Sequence, residues 1–266
     1  MKVALVIPSF YPATIYGGSI FASYHLTRES ANNGFDIRVS TTNANGKERL
    51  HLTSNKFIDL ESFKIKYYHE QWIKKISFRL LFGLWKDIRS SDVLHLQAVF
   101  SYPTPIALLI AFLFNKKVLF SARGSLSKYS FQKRSFIKKV WLNLLIKPFI
   151  KKVYWHATSV KEQQEIKSLF PNAKIYLIVD GTYVEEMKPV EKENYIAAIG
   201  RIHPVKGYDL LIKAFAQMQS QYPQLSLKIA GKDDGCMADL KKLVQRYNLN
   251  SKVLFIGDIS GEHKEL

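Results

Sequence analysis

The sequence predicts an α/β chain made of two parallel-sheet units, and three observations lead there. Strand-like apolar runs alternate with helix-period segments along the whole length, the pattern of right-handed strand–helix–strand units. The first residues, Met-Lys-Val-Ala-Leu-Val-Ile-Pro, are a nearly continuous apolar run that suits a buried first strand. A polar stretch over residues 184–194, rich in Glu and holding Pro189, then breaks the alternation and separates a strongly basic part from a nearly neutral one.

The elements follow in order. Residues 2–7 form a strand, and a loop containing Gly17-Gly18 leads to a helix over 19–33. Gly34 ends that helix, where the missing Cβ suits the left-handed position. Residues 35–41 are the second strand, and 43–70 are a polar loop plus a strand near 63–68. Residues 72–89 mix Lys and Arg with Ile, Phe, Leu and Trp at helical spacing. A short strand at 92–96, a helix at 105–114, a strand at 117–121 and a long basic helical region at 131–151 come next. A strand at 153–158 and a helix at 160–169 complete the first part. Beyond the polar stretch run strand 195–199, helix 207–221, strand 225–230, helix 237–247 and strand 252–256. Both parts are Rossmann-like. The expected organisation is a first domain over 1–183, a linker over 184–194 and a second domain over 195–266.

Charge is distributed unevenly. The formal total is +17, and residues 93–161 hold 12 Lys or Arg with no Asp or Glu. Residues 192–266 hold 11 cations and 8 anions, a net +3, which leaves +14 for residues 1–191. Such a surface attracts anionic lipid, nucleic acid or polyanionic sugars by long-range attraction that salt weakens. No recognition helix, RNA-binding aromatic motif or zinc finger accompanies the charge, so nucleic acid is not an expected partner. The basic helices at 72–89 and 131–151 combine apolar and cationic residues, which suits a protein resting on an anionic membrane surface. An ordinary amphipathic helix with a solvated face is the plainer account. The apolar run 104–114 has 11 residues, against the ~20 a helix needs to cross a bilayer.

A lone cysteine, Cys236, cannot form an internal disulfide, and no CxxC or Cys/His cluster is available to hold zinc. The N-terminus lacks the hydrophobic region and small-residue cleavage site of a signal peptide. The expected location is therefore cytoplasmic, with no metal and no cofactor.

The segment Gly200-Arg-Ile-His-Pro-Val-Lys-Gly207 leaves a strand and opens a helix at the carboxyl end of the sheet, where sheets of this kind bind ligands. Unpaired amides and the positive dipole end of the helix, with Arg201 and Lys206, suit a pyrophosphate. Glycine at 200 and 207 lets the backbone approach closely. A strand-to-helix turn with two solvated cations is the alternative. A dinucleotide-dependent oxidoreductase is disfavoured because Pro-Ser-Phe-Tyr-Pro, with no GxGxxG turn, follows the first strand.

The turn, GRxxxxKG, resembles the donor-phosphate motif of retaining glycosyltransferases of family four. Other pieces agree in order: MKVALVIPSFYP, Gly17-Gly18, Asp92-Val-Leu-His95, Ser121-Ala-Arg-Gly124, and His156-Ala-Thr-Ser159 followed by Glu162. The resemblance implies two facing Rossmann-like domains, the B-type glycosyltransferase fold. The amino-terminal domain would take the acceptor and the carboxy-terminal domain a nucleotide-sugar donor. It further implies that Arg201 and Lys206 neutralise the leaving diphosphate without a metal ion, and that Gly17 and Gly18 let the chain pass close to donor phosphate or acceptor. His95 is the candidate catalytic residue, hydrogen-bonding a sugar hydroxyl; a packed core histidine is its alternative. Gln97 stands where many relatives carry a second histidine, and can still hydrogen-bond. Arg123 and Gly124 match a loop that faces the acceptor in relatives, against a solvated Arg beside a turn glycine. Asp180 replaces the Asn of a Pro-Asn-Gly segment.

Relatives continue through further strand–helix units carrying a pair of glutamates seven residues apart, one of which holds the donor ribose. The expectation is therefore a truncated enzyme whose second domain is incomplete. The expected function is transfer of a sugar from a nucleotide-sugar donor to a glycan or lipid-linked acceptor in cell-surface polysaccharide assembly, such as lipopolysaccharide or capsule. The alternative is a truncated, non-catalytic remnant, or a subunit of a split enzyme whose missing units come from a separate chain.

Overall fold

The computed structural model describes residues 1–52, 56–71, 76–132, 134–181 and 193–259. The chain divides into two compact units, Met1–Tyr183 and Val184–Leu266. Of the expected linker, only Glu193 and Asn194 fall within the described residues.

The first unit is built on strands β1 (Lys2–Ser9), β2 (Asp36–Thr42), β5 (Ile58–Leu60), β6 (Phe63–Tyr68), β7 (Val93–Gln97), β8 (Lys117–Ser121), β9 (Val153–Ala157) and β10 (Lys174–Leu177), with a small hairpin of β3 (Ala44–Asn45) and β4 (Glu48–Arg49). The large sheet runs β10-β9-β8-β7-β1-β2-β6-β5. All neighbours are parallel except β5, which pairs antiparallel with β6. Its helices are α1 (Gly18–Asn32), α2 (Phe78–Arg89), α3 (Pro103–Leu113), α4 (Lys128–Gln132), α5 (Ser135–Trp141) and α6 (Val160–Leu169).

Alternation along each strand sorts side chains to opposite faces of the sheet. Ala4 and Val6 join Leu94, Leu96, Val118, Phe120 and Trp155 in a core with Leu80 and Leu84 of α2, Leu108 of α3 and Ile166 of α6. Leu5 and Ile7 instead pack with Val39, Ile65 and Tyr24 of α1. The buried Asp87 carboxylate of α2 accepts hydrogen bonds from Lys66 at 3.0 Å, Tyr68 at 2.9 Å and Ser40 at 2.8 Å, so a charge placed in this interior is partnered.

Several expected boundaries shift for local reasons. α2 starts at Phe78, capped by the Ser77 hydroxyl, which accepts from the Leu80 amide; residues 72–75 lie outside the described residues. α3 begins two residues earlier than expected, with Pro103 in its first turn, where a missing N–H costs nothing. The basic region 131–151 is not one helix. After α5 the chain takes a π-helical turn, Leu142–Ile146, and then a 3-10 stretch, Lys147–Lys152. Pro148 supplies no N–H and crowds the preceding turn, so an α-helix cannot run through it. The edge strand β10 was not anticipated, because its Lys-Ile-Tyr-Leu is short and mostly exposed.

The second unit carries a parallel sheet in the order β11 (Tyr195–Ile199), β12 (Ser226–Ala230), β13 (Val253–Gly257), with helices α7 (Tyr208–Met218) and α8 (Met237–Arg246). Its core joins Leu227 and Ile229 to Ile212 and Phe215 of α7 and Leu240 and Val244 of α8.

Candidate functional site

In the first unit the strand order reverses at β1: β2 and β6 lie on one side of it, and β7, β8 and β9 on the other. The carboxyl ends of parallel strands at such a reversal are where α/β sheets take ligands. Most of the sequence-predicted residues of this unit gather there.

Gly17 holds φ +80, a left-handed backbone that a side chain would strain, and Gly18 opens α1. The Ser23 hydroxyl of α1 lies 2.7 Å from the Ser19 carbonyl and 2.5 Å from Gln97 Oε1, which ties the first turns of that helix to the end of β7. Gln97 is buried, and its Nε2 has no hydrogen-bond partner among the described residues.

The strand that carries His95 runs one residue past the expected 92–96. Parallel pairing with β8 continues to Gln97 opposite Ser121, so His95 sits in the middle of β7, and the residue is 8% exposed. Its Nε2 lies 2.8 Å from Ser121 Oγ, which lies 2.9 Å from His156 Nδ1; His156 Nε2 lies 2.8 Å from the Ile178 carbonyl. Burial, then the Arg123 cation and His156, pull the His95 pKa down to about 3. The ring is neutral near pH 7, suited to hydrogen-bonding a hydroxyl rather than to holding a proton.

Arg123 is not solvated. Its side chain is 9% exposed and its Nη1 pairs with both carboxylate oxygens of Asp180. Nε and Nη2 are buried without a partner among the described residues. Its φ of +50 and that of Gly124, +72, make a sharp turn after β8. Glu162 braces that turn: its carboxylate accepts from the Gly124 amide at 2.6 Å and from the Thr158 amide at 2.7 Å. An open pocket of about 380 Å³ lies alongside, lined by Ala22, His25 and Leu26 of α1 with His156, Ile178 and Asp180.

In the second unit the three strands end in glycines with positive φ: Gly200 (+154), Gly231 (+149) and Gly257 (+89). The loops after β11 and β12 run side by side, with the Gly200 amide donating to the Ala230 carbonyl at 2.9 Å and the Ile202 amide to the Lys232 carbonyl at 2.8 Å. Gly207, at φ +69, turns the chain from a 3-10 turn, Pro204–Lys206, into α7. The first amides of that helix have no partner within it. Tyr208 donates its hydroxyl to the Gly200 carbonyl at 2.9 Å. Lys206 folds back so that its Cε lies 3.8 Å from where a Gly200 Cβ would be. Arg201, next to Gly200 in the chain, pairs with Asp234 at 3.0 Å, both side chains being nearly half exposed. Among the described residues no three His, Cys, Asp or Glu cluster in a way that could hold a metal ion.

Sequence reasoning on single residues missed Gly231 and Gly257, whose signal is a glycine just past or closing an apolar run. It also missed the partners Asp180 and Asp234 and the joining of His95 to His156 through Ser121. Those contacts span 57, 33 and 61 residues of chain, and no local pattern announces them.

The architecture is the mixed α/β, two-sheet arrangement of B-type glycosyltransferases. It superposes on the UDP complex of Anabaena HepE with a TM-score of 0.72 at 15% identity, covering 98% of this chain and 70% of that one. It superposes on WaaG, a glycosyltransferase involved in lipopolysaccharide biosynthesis, with a TM-score of 0.63 at 13% identity, covering 97% and 70%. Residues 181–266 match the model of the family described as glycosyl transferases group 1. A phosphatidylinositol N-acetylglucosaminyltransferase GPI3 subunit of Saccharomyces cerevisiae is 23% identical over 287 residues. That alignment takes in 98% of this chain, which spans 59% of the length of the yeast protein. The family match is confined to residues 181–266, and across the rest of the chain the likeness to solved structures is one of fold.

Proposed function

We propose that this chain transfers a sugar, with retention, from a nucleotide-sugar donor to a glycan or lipid-linked acceptor in cell-surface polysaccharide biosynthesis. The observation that carries the reading is the turn at Gly200–Gly207, where Arg201 and Lys206 flank the same glycine beside the opening amides of α7. On this reading Arg201 exchanges Asp234 for the donor diphosphate, and Lys206 adds a second cation. Together they offset the charge that develops on the leaving group, a task otherwise given to a metal ion. Gly17 and Gly18 let the chain pass close to donor phosphate or acceptor. His95 hydrogen-bonds a sugar hydroxyl, and Gln97, Arg123 and Gly124 belong to the acceptor side. UDP bound in a protein of the same fold supports the donor class, and the phosphatidylinositol in the yeast relative's name supports a lipid-linked acceptor.

The apolar and basic outer helices of the first unit fit peripheral attachment to the inner face of a cytoplasmic membrane, where such an acceptor would be reached. No helix among the described residues is long and apolar enough to cross one. A second reading, a subunit that works with a separate chain, is favoured by the relative's description as a subunit; co-purification of a second polypeptide with the native protein tests it.

The donor role is tested by calorimetry with UDP and GDP on this chain and on Arg201→Ala. Loss of a charge-assisted hydrogen bond worth roughly 1.5–3 kcal/mol weakens binding about 10- to 100-fold. Equal affinity in the two proteins, or no binding of either nucleotide to the unaltered chain, would remove the role assigned to this turn.

A further inference from the structure

The run His95, Ser121, His156 and the Ile178 carbonyl has one end that can only accept. With neutral imidazoles this sets the direction of every bond in it. Ile178 O accepts, so Nε2 of His156 carries the proton and Nδ1 holds a lone pair. Ser121 Oγ lies 2.9 Å from that Nδ1 and must donate to it. A hydroxyl has one proton to give, so toward His95 the same oxygen accepts, and the His95 Nε2 at 2.8 Å must be the protonated one.

We infer that Ser121 and His156 are positioning residues that lock His95 in its Nε2-protonated form, leaving Nδ1 as a fixed hydrogen-bond acceptor. Ser121, His156 and His95 are all buried, and the run meets the open pocket only at its His156–Ile178 end. The three residues sit on the adjacent parallel strands β7, β8 and β9, and Ser121 lies directly opposite His156 in register. The geometry is therefore carried by the sheet rather than by mobile loops. A ring free to present either tautomer would turn a donor toward the substrate in a fraction of molecules; this one offers a hydroxyl-bearing substrate an acceptor every time. What that acceptor meets rests on the proposed function, whereas the lock itself does not.

Imidazole 15N spectroscopy on histidine-labelled protein reads the lock directly, since protonated and lone-pair nitrogens resonate far apart. The expected result at pH 7.5 is an Nε2-protonated pattern for both His95 and His156. In Ser121→Ala the His95 signals should move toward a mixture of tautomers, and Ser121→Thr, which keeps the hydroxyl, should restore the single pattern. A His95 protonated on Nδ1 in the unaltered protein overturns the inference without any variant being needed, as does an unchanged pattern in Ser121→Ala. The affinity of UDP, measured on the same samples, should be equal in the unaltered protein and in Ser121→Ala. If the unaltered chain fails to bind UDP, the proposed function falls while the tautomer result still decides the lock.

Discussion

A Cβ on Gly231 would stand 1.9 Å from the carbonyl oxygen of Gly200, so the end of β12 carries a glycine because the end of β11 presses its backbone against it. The contact is between two main chains, so no side-chain rotation relieves it. Its consequence reaches the candidate donor site, because the Gly200 carbonyl also accepts the Tyr208 hydroxyl bond that anchors the start of α7.

Gly231→Ala should therefore push the Gly200–Gly207 turn out of place. Overpacking of this kind costs roughly 1–3 kcal/mol, and the φ of +149 adds strain for any residue with a side chain. The expected outcome is a lower melting temperature together with UDP binding weakened by at least tenfold. Gly235→Ala is the control, having φ +95 but open space around it, and should lose stability without the same loss of affinity. Equal UDP binding by the unaltered chain and Gly231→Ala would show that the turn does not need this approach.

Gly83 makes the opposite argument to helix propensity. It lies inside α2, where Ala is favoured over Gly by about 1 kcal/mol. Its Cβ, however, would sit 1.9 Å from the Tyr68 hydroxyl, which donates to the buried Asp87 carboxylate. Pushing Tyr68 aside overpacks the core at roughly 1–3 kcal/mol and disturbs the Lys66–Asp87 pair as well. The clash outweighs the propensity, and Gly83→Ala should destabilise the chain in urea titration. A stability gain would mean that α2 shifts freely against β6.

Much of this could be read in advance, and what could not has a physical pattern. Strands 117–121 and 195–199 and helix 160–169 were legible to the residue because apolar periodicity and capping agree there, as in the Ser159 cap over the Glu162 amide. The glycines at 17, 34, 200 and 207 were legible because a left-handed turn leaves its mark on residue type. By contrast, the pairing of the buried Arg123 with Asp180, and the neutrality of His95, which comes from its burial and then from Arg123 and His156, depend on residues distant in the chain. A sequence pattern sees residues three or four apart along a helix, or two apart along a strand. It does not see which side chains a parallel sheet brings abreast.

His95 gives the chain a pH dependence of definite sign. Its pKa is about 3 when folded and 6.5 when unfolded, so below pH 6.5 the unfolded state binds a proton that the folded state refuses. Its effect is absent above pH 6.5 and grows as pH falls toward 3, each pH unit costing about 1.4 kcal/mol of stability. His95→Gln should flatten the fall in unfolding free energy between pH 7 and pH 5. Parallel curves for the two proteins would place the acid sensitivity elsewhere.

The last prediction concerns the outer helices of the first unit. On α2, Phe82 is 83% exposed, with Phe78 and Trp85 also open; on α5, Phe136 is 77% exposed beside Ile137. Arg79, Lys86 and Arg89 accompany the first group, and Arg134, Lys138 and Lys139 the second. Aromatic side chains left in water cost free energy that a bilayer interface recovers, roughly 1.5–3 kcal/mol for each one fully buried. Each cation near an anionic surface adds about 1 kcal/mol at moderate salt. The unaltered chain should therefore co-sediment with vesicles containing phosphatidylserine, and release from them as salt rises. The double variant Phe82→Ser/Phe136→Ser should lose at least tenfold in vesicle affinity while keeping its UDP affinity, because neither ring belongs to a residue assigned to the donor site. Binding that is indifferent both to anionic lipid and to these two rings would mean that the exposed face serves something other than a membrane.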